Sequence, residues 1–159
     1  MSAAVTIRAA RLEDVTAVVA LERGVAQAPH WGEGEYVAMV RGGAEEFVRR
    51  CLLVAERGGE LIGFAVGKVI VGETGEVESV VVGAEVRREG VGKALCKAII
   101  GWCKGEGAVA VELEVRSANL GAVRLYEGLG FESVGIRKDY YREPVDDAVL
   151  MRLGLTVGQ

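Results

Sequence analysis

Two stretches of this 159-residue chain carry residue types whose spacing could do chemistry. The first is Arg87-Arg88-Glu89-Gly90-Val91-Gly92-Lys93, which follows the β-branched run Val80-Val81-Val82 and the short connection Gly83-Ala84-Glu85-Val86. A strand that runs through a glycine-bearing turn into a helix aims several unpaired backbone N–H groups at one spot, and the helix dipole adds partial positive charge there. Such a turn is a phosphate cradle. Gly90 and Gly92 keep side chains out of the way of a close approach, while Arg87, Arg88 and Lys93 bring cations nearby. Taken alone, the loop reads equally well as a tight turn with surface arginines. Two other phosphate motifs do not fit: Lys93 is followed by Ala94 where a P-loop needs Ser or Thr, and Leu95 stands where the dinucleotide fingerprint needs a third glycine.

The second stretch begins at Val109. Val109, Val111, Leu113 and Val115 alternate as one apolar strand face, so Glu112 and Glu114 point from the other. A carboxylate there is a candidate proton acceptor; on spacing alone, the stronger reading of both is a solvated strand residue, since exposed carboxylates are common. Asn119 is suited to cap a helix through Leu129, with Gly130 as its stop. Tyr126 sits on that helix beside Val123 and Leu129. On position alone it is a core or interface tyrosine whose phenol needs a partner when buried.

The remaining elements must position these groups. Val5 to Ala9 reads as a strand. Leu12 to Val25 has helical apolar spacing, with Glu13 and Asp14 in its first turn. A short helix is expected from Glu33 to Arg41, after a loop containing His30 and Trp31. Cys51 to Glu56 and Leu61 to Val71 are apolar runs joined by Arg57-Gly58-Gly59-Glu60, a hairpin signal. Val77 to Val82 is a further strand. Val91, Leu95, Ile99 and Trp102 recur at helical spacing, and Phe131 to Ile136 and Ala148 to Leu153 close the chain as strands. The order β-α-α-β-β-β-α-β-α-β-β predicts an α/β fold, with a mixed sheet and helices on both faces.

Bulk properties bound the reading. The length suits one domain over residues 1–159. Half the residues are hydrophobic and the net charge is −4, which argues against general binding to nucleic-acid phosphates. The longest apolar strand, Leu61 to Val71, is short and contains Lys68, so no membrane span is expected. Cys51, Cys96 and Cys103 show no C-x-x-C spacing and read as reduced thiols of a cytoplasmic protein. No metal site is expected, since His30 is the only histidine.

Set side by side, the motifs resemble a known family. R-x-x-G-x-G after a β-branched strand resembles motif A of the GNAT acetyltransferase superfamily. Leu113-Glu114-Val115-Arg116-Ser117-Ala118-Asn119, then Leu125-Tyr126-Glu127-Gly128-Leu129-Gly130-Phe131, is similar to its motif B. Arg137-Lys138-Asp139-Tyr140-Tyr141, followed by Pro144, Asp146-Asp147-Ala148 and Met151, is similar to the tail of protein N-terminal acetyltransferases, the bacterial ribosomal-protein-alanine (RimI) type above all. The resemblance is dense over residues 76–153 and holds only in element order before them. It departs where Gly83-Ala84 replace the Asp/His-Pro usual after the motif A strand, and in the His30–Trp31 loop.

The resemblance implies a GNAT fold with a mostly antiparallel sheet, and acetyl-CoA as acetyl donor. Its pyrophosphate would be held by Arg87 to Lys93 and its arm contacted by Asn119. Its pantetheine would run along the backbone of Val80, Val81 and Val82, in a gap opened by a bulge. Glu114 becomes the base, with Glu112 and Glu78 as competitors; Tyr126 becomes the acid for the leaving thiolate; Tyr140 and Tyr141 line the way in for a peptide. The implied acceptor is a protein N-terminus, the N-terminal alanine of a small-subunit ribosomal protein. Lysine side chains, a small-molecule amine, or a non-catalytic CoA-binding role are the alternatives.

Overall fold

In the computed structural model, which describes residues 4–25, 31–42, 47–87 and 89–155, strand β1 (Thr6–Ala9) is followed by helices α1 (Val15–Arg23) and α2 (Glu33–Arg41). Strands β2 (Val48–Arg57), β3 (Glu60–Ile70) and β4 (Thr74–Val82) come next, then helix α3 (Val91–Gly105) and strand β5 (Ala110–Arg116). Helix α4 (Leu120–Gly128) and strands β6 (Glu132–Arg142) and β7 (Val145–Gly154) complete the order. The seven strands form one sheet in the order β1-β2-β3-β4-β5-β7-β6. Every neighbouring pair is antiparallel except β4–β5. That parallel step requires a crossover, and α3 supplies it.

Helices cover both faces, as the element order predicts. On one side Val15, Val18 and Val19 of α1 and Tyr36 and Met39 of α2 pack on Val54, Phe64 and Val66. On the other, α3 lays Val91, Leu95, Cys96, Ile99 and Cys103 on Ala65, Val69, Val111 and Met151. Each large aliphatic side chain so buried is worth roughly 1.5–3 kcal/mol. Trp102, expected on that stripe, is only half-buried, and Cys103 takes the fully buried place. Two glycines let α3 lie this close. A Cβ on Gly75 would fall 2.5 Å from the Cys103 Sγ, and one on Gly63 would fall 3.2 Å from the Leu95 Cδ1.

Two segments differ from expectation. The helix expected from Leu12 begins instead as a 3-10 turn, Leu12–Asp14, before α1. Asp14 is occupied there: its Oδ2 accepts the Arg11 backbone N–H at 2.7 Å, and the two carboxylate oxygens accept from Arg8 at 2.7 and 3.0 Å. Arg8 also donates to Glu56 at 2.9 Å, so one guanidinium joins β1, the helix start and β2. The β6–β7 hairpin runs well beyond Phe131–Ile136 and Ala148–Leu153. β6 is the sheet edge with mostly exposed side chains, and Arg137-Lys138-Asp139 hides the alternation that a half-buried strand would show.

One irregularity prepares the site. The β3–β4 register skips Glu78, pairing Val66 with Ser79 and Gly67 with Val77. Such a bulge bends and twists the strand. β4 then pairs with β5 only through Thr74, Gly75 and Glu76, opposite Ala110, Val111 and Glu112. Beyond that point the two strands part.

Candidate active site

The parted strands open a cavity of about 780 Å³, within the range of small-molecule sites. Val80, Val81 and Val82 form one wall. They pair with Ala65, Phe64 and Gly63 of β3 on one side, and their other edge has no β5 partner in the register. This edge leaves backbone groups available to an extended guest, as at any open strand edge.

The loop after β4 closes one end. Gly90 caps α3 at φ 83, in the left-handed region that disfavours a side chain. The backbone N–H groups of the first helical turn have no intrahelical acceptor, and Gly90, Val91, Gly92 and Lys93 line the cavity together with Arg87. A Cβ on Gly92 would already touch Val82 at 3.5 Å, so any larger side chain would grow into this space. Glu89 differs from its neighbours: its carboxylate is bound by Arg57 at 3.0 Å, and it does not line the cavity. Arg88 lies outside the described residues.

The opposite wall comes from β5 and α4. Glu114 lies on the face of β5 away from the α3 core, as the alternation predicts, opposite Leu150 of β7. Its one ion-pair contact among the described residues is Arg137 at 3.7 Å. Glu114 also lines a second, smaller cavity of about 250 Å³ with Lys68, Glu76, Glu112 and Arg137. The competing carboxylates are engaged. Glu78 is held by both ends of the Arg50 guanidinium at 2.9 and 3.1 Å, and Glu112 accepts from Arg152 at 3.2 Å.

Tyr126 reaches the cavity from α4 and packs edge-on to Phe131, with centroids 5.8 Å apart. Burial pushes its phenol up from the ordinary value, with smaller contributions from Cys96 and Tyr141. Asn119 caps α4: its Oδ1 accepts the Ala122 N–H at 3.1 Å, and the residue lines the cavity. Tyr141 lines it too, under the Arg116 guanidinium at 4.2 Å. Tyr140 stands edge-on to Tyr141, 5.1 Å away, outside the cavity lining. Its phenol faces Glu114, and a hydrogen bond to that carboxylate raises it.

Sequence reading missed the braces. Asp146 of β7 accepts the Ser117 hydroxyl at 2.7 Å and the Ala118 N–H at 3.2 Å, which pins the loop carrying Asn119. The Ser117 hydrogen bond holds the Asp146 carboxyl below its usual range. Arg116 donates to the Pro144 carbonyl at 2.8 Å. No short-range spacing joins these partners. The three thiols stand apart from this chemistry: burial pushes Cys51 and Cys96 up to about 12 and Cys103 to about 11, so they stay protonated at neutral pH. Of the loop before α2, Trp31 meets Tyr36 edge-on at 6.0 Å; His30 lies outside the described residues. No cluster of three metal-ligating side chains and no helix long and apolar enough to cross a membrane occurs among the described residues.

The slot thus brings together an unpaired strand edge, the start of a helix, a carboxylate and a phenol. Comparison with known proteins names the class. The chain belongs to the acetyltransferase (GNAT) family, whose model matches residues 19–131, and it is an acetyl-CoA-dependent N-acetyltransferase. A relative from Bacillus subtilis (strain 168) is 29% identical over 151 residues, spanning 95% of this chain and 96% of that one. The [ribosomal protein bS18]-alanine N-acetyltransferase of Escherichia coli (strain K12) is 33% identical over 101 residues, 62% of this chain and 68% of its own. The crystal structure of the Escherichia coli ribosomal-protein-S18-alanine N-acetyltransferase superposes with a TM-score of 0.81 at 26% identity, covering 98% of this chain and 97% of that one.

Proposed function

We propose that this enzyme, as one domain over residues 1–159, transfers acetyl from acetyl-CoA to the α-amine of a protein N-terminus by direct attack. The acceptor is the N-terminal alanine of a small-subunit ribosomal protein. The observation that carries the reading is Glu114. It lies where the strand-edge slot and the smaller cavity meet, in a chain whose relatives include ribosomal-protein-alanine N-acetyltransferases.

The residues present fit the donor. The N–H groups at the start of α3, with Arg87 and Lys93, suit its pyrophosphate, and the free edge of Val80 to Val82 suits its pantetheine amides. Asn119 contacts its arm with what its cap leaves over. When bound, acetyl-CoA supplies an acetyl thioester. Glu114 takes a proton from the incoming amine; an α-amine has a pKa near 8, so the task is modest. Tyr126, protonated through the neutral range, gives its proton to the departing sulfur. Tyr140 and Tyr141 guide the peptide. The thiols, protonated and buried at Cys96 and Cys103 and protonated and half-buried at Cys51, leave no cysteine suited to carry the acetyl group. The work belongs in the cytoplasm, where nascent ribosomal proteins are.

The test is intact-mass analysis of two peptides incubated with acetyl-CoA and the enzyme. One begins with a free alanine; the other is N-terminally blocked and contains lysine. Acetylation of the alanine peptide is expected. Acetylation of the blocked peptide alone would transfer the enzyme to lysine or small-amine chemistry, and tight CoA binding without turnover would make the chain a binding module.

A further inference from the structure

Arg57 and Glu89 are 32 positions apart and meet at 3.0 Å, Nη1 to Oε1. Arg57 ends β2 at the turn through Gly58 and Gly59, whose φ values of 60 and 82 suit a tight left-handed corner. Pairing carries that corner to the loop after β4. Gly63 of β3 lies opposite Val82, and the Gly83 N–H donates to the Ile62 carbonyl at 2.9 Å. Glu89 is the one acidic residue between Arg87 and Lys93. Its described neighbours Arg87, Gly90, Val91, Gly92 and Lys93 line the cavity, whereas Glu89 is turned to Arg57. An unpaired carboxylate in an anion cradle would repel the anion, since like charges so close work against binding even in a high dielectric.

We propose that Arg57 is a positioning residue for the phosphate loop: it holds Glu89 away from the cavity and cancels its charge, keeping the loop receptive to the pyrophosphate of the acetyl donor. This rests on the reading of that loop as the pyrophosphate site. Arg57 does not line the cavity and acts only through Glu89. Its contribution therefore belongs to donor affinity and vanishes once Glu89 is neutral. Both side chains are partly exposed, 24% and 47%, so the effect is that of a solvent-screened pair.

The experiment is calorimetric titration of CoA into the wild type, Arg57→Ala, Glu89→Gln and the double variant, at low salt and at about 0.5 M salt. Arg57→Ala is expected to weaken CoA binding roughly threefold to fivefold at low salt. In the Glu89→Gln background the same change is expected to cost less than about twofold, and the penalty in the native background shrinks in high salt. The KM for acetyl-CoA rises with Arg57→Ala, while kcat and the KM for the acceptor peptide stay put. Equal losses in both backgrounds, or no loss in either, would overturn the proposal. Gly92→Trp separates this from the underlying reading. If it abolishes CoA binding while Arg57→Ala does nothing, the cradle stands and only the role of Arg57 falls. If Gly92→Trp leaves CoA affinity intact, both fall.

Discussion

Tyr126 and Glu114 approach the slot from different elements, and their surroundings suit them to opposite halves of a proton transfer. Glu114 keeps a side chain 27% exposed, with its one ion-pair contact among the described residues, Arg137, at 3.7 Å and the Tyr140 phenol facing it. Tyr126 is desolvated, which favours its neutral form. The sign matters for the pH profile. In the proposed role, the working form of Tyr126 is the protonated one, present below its pKa and lost as pH rises through it. Because that pKa is raised, no loss of kcat from this group is expected below about pH 10, the ordinary tyrosine value. The profile of kcat between pH 6 and 10 should therefore rise to a plateau. A fall inside that range that disappears in Tyr126→Phe would contradict the assignment.

At the scale of elements, the site depends on how one strand is bent. The Glu78 bulge turns β4 away from β5, and the left-handed Gly90 starts α3 at the mouth of the gap. Gly92 lines the gap, and a Cβ there would already be in contact with Val82 at 3.5 Å, so a large side chain would extend into the cavity. Gly92→Trp is expected to lower CoA affinity by more than about a hundredfold, or ~2.7 kcal/mol, with the fold retained by circular dichroism. Unaltered affinity would count against the cradle. Much of this layout was legible beforehand. Val91, Leu95 and Ile99 announce α3 by their spacing, the alternation through Val115 places Glu114 on the far face, and Asn119 reads as a cap and is one. The bulge was legible only through the family resemblance, because nothing in Glu76-Val77-Glu78-Ser79 distinguishes a skipped residue from a paired one. The extent of β6 was hidden by its exposure. The Arg57–Glu89 and Ser117–Asp146 contacts join residues far apart in sequence, which periodicity cannot see.

At the scale of the molecule, the sheet has to hold its splayed half open against a packed half. The packed half is fastened at its edge by Arg8, shared between Asp14 and Glu56. The hydrogen bonds from Arg8 hold the Asp14 carboxyl below its usual range. A carboxyl so depressed stabilises the fold at pH values above its unfolded pKa, about 4. That contribution fades as pH falls through the lower, folded value. Asp14→Asn is thus expected to cost roughly 1–3 kcal/mol at neutral pH and to flatten the loss of stability below about pH 4. Urea unfolding at several pH values measures both. A variant as stable as wild type at pH 7, with an unchanged acid limb, would remove Asp14 from this role.

The central claim is that acetyl passes to an α-amine at the junction of the two cavities, with Glu114 taking the proton. It is tested most directly by following an alanine-initiated peptide by intact mass with the wild type and with Glu114→Gln, alongside calorimetric titration of acetyl-CoA into each. The account predicts that kcat falls by about 10²- to 10⁴-fold in Glu114→Gln while acetyl-CoA affinity stays within about twofold. Undiminished turnover by Glu114→Gln would contradict it and move the proton to another carboxylate, Glu112 or Glu78.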